Sequence, residues 1–373
     1  MGKLYDFIVV GAGLSGAVAA YELSRMGYSV LVIEKNPSVG GLCRCQNVTP
    51  DVPIHVFGPH IFHTNDKRLW DYVSNRCEMI PYEHIVKAVP SKELGDISLP
   101  ININTVEQIY DVKIKNASEI SEIIKNDIIK CDNPITVEDF ALSTVGAKIY
   151  KALIEGYTEK QWGKPCSALP SEIVKRLQIR TERNESYFSD KYVGIPKNGW
   201  NELFKKLLKN CDVLIKTDYL SAKELYNKAC YNVIYTGKID EYFNYAFGRL
   251  EYIDHIFNFP KKNNVKWKHD SAVVNYTGDD NSCPLRAANY ALMYGKKFDK
   301  YHRTDIIEEY AVKREDAFMY PVPSLGKNIP LNLYRNLAES EENVLFVGRN
   351  AEYKYYDMDD CIARSIAVTS NFK

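Results

Sequence analysis

Residues 4–10 read LYDFIVV, an apolar run of β-forming residues, and the glycine turn GAGLSG follows at once. AVAAYELSRMGY then spaces its apolar positions at helical intervals, and a second apolar run, SVLVIE, ends at Glu34. Strand, glycine turn, helix and strand predict one βαβ unit. Residues 104–190 have another texture. TVEQIYDVKIKNASEISEIIKNDIIK and ITVEDFALSTVGAKIYKALIEGYTEKQW carry apolar residues three to four apart with few glycines, which predicts several helices broken at Asn133-Pro134. From 192 onward the pattern mixes again: WNELFKKLLKN reads as an amphipathic helix, DVLIKTDY and YNVIYTG as strands. RLEYIDHIFNF and SAVVNYTG, set among polar turns between 240 and 320, predict an antiparallel sheet. The end, NVLFVGRN and then AEYKYYDMDDCIARSIAVTS, reads as strand, glycine turn and helix. No repeat of solenoid length occurs, and α/β texture at the start, middle and end predicts interleaved domains.

Composition narrows the function. With 48 basic and 48 acidic residues the net charge is 0, so nucleic acid or an anionic membrane is not expected as a partner bound by bulk charge. Hydrophobic residues make up 45%, enough for a substantial core. Nine cysteines without a CxxC pair suit a reducing, cytoplasmic setting better than a disulfide scaffold. No metal is expected: Cys43 and Cys45 are too close for a zinc knuckle, and no carboxylate or thiol completes His55, His60 and His63. The apolar stretch from Phe7 to Ala20 is too short to span a bilayer, and Asp6 and Glu22 bracket it, so a soluble chain is expected.

Gly11, Gly13 and Gly16 give GxGxxG between strand and helix. Gly11 allows the tight turn, Gly13 lets main chain approach a pyrophosphate, and Gly16 lets the helix pack on the strand. The phosphates then meet the positive end of the helix dipole. Glu34 closes the second strand, where a carboxylate accepts hydrogen bonds from an unphosphorylated ribose, which disfavours NADP at this site.

Longer stretches carry a family resemblance. VFGPHIFHTND (56–66), GYTEKQWG (156–163), YFSDKYVGIP (187–196), YTGKIDEYF (235–243) and AEYKYYDM (351–358) are similar, in order over nearly the whole chain, to segments of the prokaryotic UDP-galactopyranose mutases. The resemblance implies an α/β fold: a Rossmann-like FAD-binding domain with a helical insertion and an antiparallel β-sheet domain. The FAD-binding domain would take 1–80, 192–245 and 335–373. A mainly helical part would take 81–191, with a mobile substrate loop near 165–180 hinged at Gly163 and Pro165, and the β-sheet domain 246–334. It further implies a cytoplasmic, homodimeric isomerase serving cell-surface polysaccharide synthesis. The reaction would interconvert pyranose and furanose forms of a UDP-sugar, UDP-galactose first, through an adduct between the sugar and N5 of reduced FAD. NAD(P)H would be the external reductant.

The same resemblance implies the site residues. FAD would meet Gly11, Gly13, Leu14, Ser15, Gly16, Glu34, Lys35, Gly41, Leu42, His60, Ile61, Gly348, Arg349, Tyr356, Asp357 and Met358, with Arg349 steadying the reduced, anionic ring. Arg176 and Arg286 match two diphosphate arginines, a task that suits a planar, permanently charged fork. His63 stands with them as a catalytic residue beside the flavin. Tyr157, Thr158, Trp162 and Gln108 match the uridine and sugar pocket, where a flat base favours aromatic stacking. Tyr187, Tyr320 and Tyr355 would reach the diphosphate and Asp357 the sugar side. Two places depart from the family. Ile253 and Asp254 stand where an arginine commonly follows LEY, and CPLRAANYALMYGKKF (283–298) differs around Arg286. UDP-N-acetylgalactosamine or another modified nucleotide sugar therefore stays open as substrate. An amine-oxidase-like FAD oxidoreductase, which has no use for GYTEKQWG and two diphosphate arginines, and a non-catalytic nucleotide-sugar binder are the other readings.

Overall fold

Four sheets organise the computed structural model, which describes residues 4–49, 52–175, 177–259, 267–280, 282–295 and 306–372. One has five strands in the order Asp212–Leu214, Val30–Ile33, Tyr5–Val10, Cys230–Tyr235 and Val344–Phe346, all parallel. Phe7, Ile8, Val9 and all of Val30–Ile33 are buried, as expected of central parallel strands covered on both faces. The helix Leu14–Arg25 covers one face beside the C-terminal helix Met358–Thr369. Its Ala17, Ala19 and Ala20 are fully buried, so the layers approach closely. Because the strands are parallel, the turns after Val10, Ile33, Tyr235 and Phe346 meet at one edge, the edge where open α/β sheets bind ligands.

The second large sheet runs in the order Tyr320–Pro321, Tyr252–Asn258, Ile306–Val312, Arg286–Asn289, Val273–Tyr276, Val86–Val89 and Ile97–Leu99. It departs from the sequence reading in two ways. One of its pairs, Val273–Tyr276 with Val86–Val89, is parallel. The sheet also takes Val86–Val89 and Ile97–Leu99 from the segment read as mainly helical. Runs of three or four residues are too short to stand out against a helical pattern. The helices Ile103–Tyr110 and Val137–Thr144 start at capping boxes made by Asn102 and Thr136. They share a core with the sheet through Val106, Val137, Ile149, Leu153, Val273 and Ile307. Short sheets pair Cys45–Thr49 with Val52–His55, and Tyr192–Pro196 with Phe62–Thr64 and Met79–Pro81. Among the described residues no helix is long and apolar enough to cross a membrane.

Candidate functional site

At its glycine turns the cleft at the edge of the parallel sheet is walled by main chain. Gly11 has φ +96°, and a Cβ there would lie 2.2 Å from Thr236 Oγ1. A Cβ on Gly16 would lie 2.0 Å from the Gly11 carbonyl oxygen, so the helix could not sit this close to the strand with any larger residue. Gly40 donates its N–H to Ala12 O over 2.8 Å, which lays a second glycine turn on the first. There Gly41, φ +52°, would put a Cβ 2.9 Å from Gly13 Cα. Gly13 caps the helix Leu14–Arg25 without any side-chain hydrogen bond, so the first N–H groups are left for a ligand. Glu34 is buried: Oε2 accepts the Ala12 N–H at 2.8 Å, and Oε1 accepts the Asn36 N–H and Nδ2 at 2.8 and 2.7 Å. Uncapped helix start, glycine walls and a fixed carboxylate together fit a dinucleotide, with pyrophosphate on the N–H groups and ribose on Glu34.

Asp254 holds the opposite wall. It is 1% exposed and accepts the N–H groups of Phe318 and Met319 at 2.8 and 3.0 Å and Arg314 Nη2 at 2.7 Å. Phe318 and Met319 line the cleft. Ile253, its neighbour, is buried in the core, so the two departures after LEY become a wall anchor and a packing residue. His60 also lines the cleft, its Nδ1 2.8 Å from Gly58 O. Burial, helped by the charges of Arg349 and Arg286, pulls its pKa down to about 4, so the ring is neutral at neutral pH. Arg349 donates to Tyr356 O at 2.6 Å and lies over the rings of Tyr320 and Tyr355, 5.1 and 4.9 Å from their centroids. Those two rings stack at 6.2 Å and carry the site onward to the second sheet.

There the strand Arg286–Asn289 supplies a half-buried cation. Arg286 Nη2 donates to Tyr157 Oη at 2.7 Å, Nε to Asn275 Oδ1 at 3.3 Å, and Nη1 lies 3.7 Å from Glu309 Oε2. Tyr157 sits on the helix Gly156–Trp162, which follows a π-turn at Tyr150–Glu155. A Cβ on Gly156 would lie 2.6 Å from Thr277 O, so this helix presses directly on the end of the strand Val273–Tyr276.

The cleft brings together Gly11, Gly13, Leu14, Ser15, Glu34, Lys35, Gly41, Leu42, His60, Gly348, Arg349, Tyr356, Asp357 and Met358. Gly16 stands behind it as packing, and Ile61 is buried in the main core. Tyr157, Tyr320, Tyr355 and Arg286 gather at its far end, while Arg176 lies outside the described residues. Tyr187 packs edge-on against His84 at 5.6 Å and Phe188 at 5.4 Å. His63 does not line the cleft as His60 does: it stacks on Phe188 at 3.8 Å and faces Asp190 Oδ2 at 3.0 Å. Trp162 and Thr158 are buried at 6% and 5% exposure, the tryptophan inside the core rather than on an open pocket. Gln108 spends its amide on the chain, donating to Asp96 O at 3.2 Å and accepting the Ser98 N–H at 3.0 Å. The expected hinge at Gly163 and Pro165 is followed by main chain tied to its neighbours. Val137 N–H donates to Leu169 O and Ser171 N–H to Ile135 O, both at 2.9 Å, so the main chain is fastened to its neighbours as far as Ser171. Sequence reasoning missed Thr236 and Lys238 on the cleft wall, although YTGKIDEYF had marked them, and missed Phe318, Met319, His255 and Glu309, which no local motif marks.

A family model described as UDP-galactopyranose mutase matches residues 152–355, and one described as NAD(P)-binding Rossmann-like domain matches residues 9–75. A Klebsiella pneumoniae protein named "Probable UDP-galactopyranose mutase" is 34% identical over 98% of this chain and 94% of its own length. An Escherichia coli dTDP-fucopyranose mutase is 30% identical over 96% of each chain. A Mycoplasma pneumoniae UDP-galactopyranose mutase is 29% identical over 97% of this chain and 95% of its own. Among solved structures, a reduced UDP-galactopyranose mutase superposes with a TM-score of 0.72 over 99% of this chain and 95% of that one, at 14% identity, a likeness of fold.

Proposed function

The chain belongs to the UDP-galactopyranose mutase family and is an isomerase, and from that premise we propose that it interconverts the pyranose and furanose forms of a UDP-sugar, UDP-galactose first. FAD would be held at the uncapped start of the helix Leu14–Arg25, by Glu34, and by Arg349, Asp357 and Met358 across the cleft. When bound and reduced it supplies the nucleophile for the anomeric carbon of the sugar. The chain's own residues do the rest.

The observation that carries this reading is Arg286: a guanidinium already aimed by Tyr157, Asn275 and Glu309, next to the Tyr320 and Arg349 end of the cleft. A diphosphate there is neutralised as it leaves the sugar and kept in place for its return. The Tyr157 hydroxyl accepts from Arg286, so its own proton is free for a phosphate oxygen. Arg349, with the tyrosine rings beneath it, favours a reduced, anionic flavin. NAD(P)H as reductant, a cytoplasmic setting and a homodimer belong to the same reading.

Chromatography of UDP-galactofuranose after incubation with FAD-loaded protein tests it, with and without dithionite. UDP-galactopyranose should form only with the reductant. UDP-N-acetylgalactosamine and dTDP-fucopyranose, run beside it, set the sugar and the base, on which the relatives' names differ. Reduced, FAD-loaded protein that rearranges none of these overturns the reading.

A further inference from the structure

We infer that His255 is a positioning residue for the substrate, acting through Glu309 on Arg286; this rests on the reading that Arg286 binds the diphosphate. His255 lies in the segment that departs from the family, and it is 4% exposed with both ring nitrogens engaged. Its Nε2 is 3.1 Å from Gln161 Nε2. An amide nitrogen only donates, so His255 Nε2 accepts and the ring proton sits on Nδ1. That Nδ1–H donates to Glu309 Oε1 at 2.5 Å. The other carboxylate oxygen, Oε2, has no hydrogen-bond donor among the described residues and faces Arg286 Nη1 at 3.7 Å. Gly58, φ +83°, keeps that space open, since a Cβ there would lie 3.1 Å from Glu309 Oε2.

The contacts close into a ring. Arg286 donates to Tyr157, and Tyr157 and Gln161 stand one turn apart on the helix Gly156–Trp162, so both present to the same neighbours. Gln161, His255, Glu309, Arg286 and Tyr157 therefore tie this helix to three adjacent strands of the sheet, in which Arg286 and Glu309 are register partners. The physical role of His255 follows from what its absence would leave. A carboxylate with 4% side-chain exposure and no donor on Oε1 either turns toward another partner or takes up a proton. Either response releases the plane that orients the guanidinium. With the histidine in place, Arg286 waits in one orientation, and a diphosphate need not order it on arrival.

The test uses FAD-loaded protein and measures UDP affinity by titration calorimetry, with melting temperature and flavin absorbance alongside. His255→Leu should weaken UDP binding about tenfold, the scale of one charge-assisted hydrogen bond, with FAD retained. His255→Asn can still donate from the place of Nδ1 and should recover most of the affinity. His255→Gln, which offers its amide at the place of Nε2, should not. In the Glu309→Gln background, His255→Leu should cost nothing more, because its route is already cut. Unchanged affinity in His255→Leu overturns the inference. So does equal loss in Asn and Gln variants with lowered melting, which would make the residue packing alone. Wild-type protein that binds no UDP overturns the reading of the site and this inference with it, whereas wild-type binding abolished by Arg286→Ala upholds the former and leaves the His255 series to decide the latter.

Discussion

The glycine turns of the dinucleotide cleft act through main chain, whereas the Arg286 end is assembled from side chains on the helix Gly156–Trp162 and four strands. The cleft works through what is missing: Cβ atoms at Gly11, Gly13, Gly16 and Gly41, and a cap on the helix Leu14–Arg25. The far end works through what is present, a guanidinium and the carboxylate, phenol and amide that aim it. So the first should fail when an atom is added and the second when one is removed, and each failure should leave the other function intact.

Arg286→Ala is the strongest test. Truncating one partner of a desolvated charge pair costs about 2–5 kcal/mol, so kcat/KM on the UDP-sugar should fall on the order of a thousandfold while the flavin spectrum is retained. Colourless protein would place Arg286 in the cofactor cleft and dissolve the distinction. Next comes Gly16→Ala. Its Cβ would meet the Gly11 carbonyl oxygen at 2.0 Å, a main-chain atom that cannot swing away. Overpacking of this kind costs about 1–3 kcal/mol, and melting temperature and FAD content should both drop. Gly27→Ala is the control for strain added to the same βαβ unit without a close approach: its φ is +95° with nothing within 4 Å of its Cβ, whereas Gly16 is helical with no positive φ. If it loses FAD as Gly16→Ala does, general destabilisation of the unit and not the close approach explains the loss. Tyr157→Phe is milder. It removes one acceptor of Arg286 while Asn275 and Glu309 stay, so UDP affinity should fall roughly threefold to tenfold, the worth of one hydrogen bond, with kcat little changed.

The same contrast explains what could be read from the chain beforehand. The cleft was legible because its parts are local: GAGLSG, Glu34 and Gly41 fall within one stretch of sequence, and glycine has few reasons to recur at that spacing. The parallel sheet followed from unbroken apolar runs. Glu309 gave no signal, since a lone glutamate in IIEEYAV reads as the polar side of a strand until the fold buries it against His255. Trp162 is the converse case: its motif marks it for a pocket and the fold packs it in the core, and local pattern cannot tell an aromatic that lines a site from one that packs behind it. Val86–Val89 escaped because one of its sheet partners, Val273–Tyr276, lies far away in sequence, and Ile97–Leu99 because three residues at the sheet edge carry too little pattern.

The smallest expected effect lies at the margin of the Arg286 ring. His84 is buried between Phe188 and Tyr187, and burial, with the charge of Arg286 next, holds its pKa at about 3. An unfolded histidine titrates near 6.5. Between those values the unfolded chain takes up a proton that the folded chain refuses, so stability falls as pH drops through that window and is unaffected by this group above it. The slope from one such residue is at most about 1.4 kcal/mol per pH unit. His84→Gln should therefore flatten the decline of melting temperature between pH 6.5 and 4 without abolishing it, because His60 acts in the same direction with a pKa of about 4. With His84 in place, Arg286→Ala should shrink the His84 contribution, while Gly16→Ala should leave it alone. An equal response to both substitutions would mean that the two ends of the site share one electrostatic environment, and the division between a main-chain end and a side-chain end would hold for geometry but not for charge.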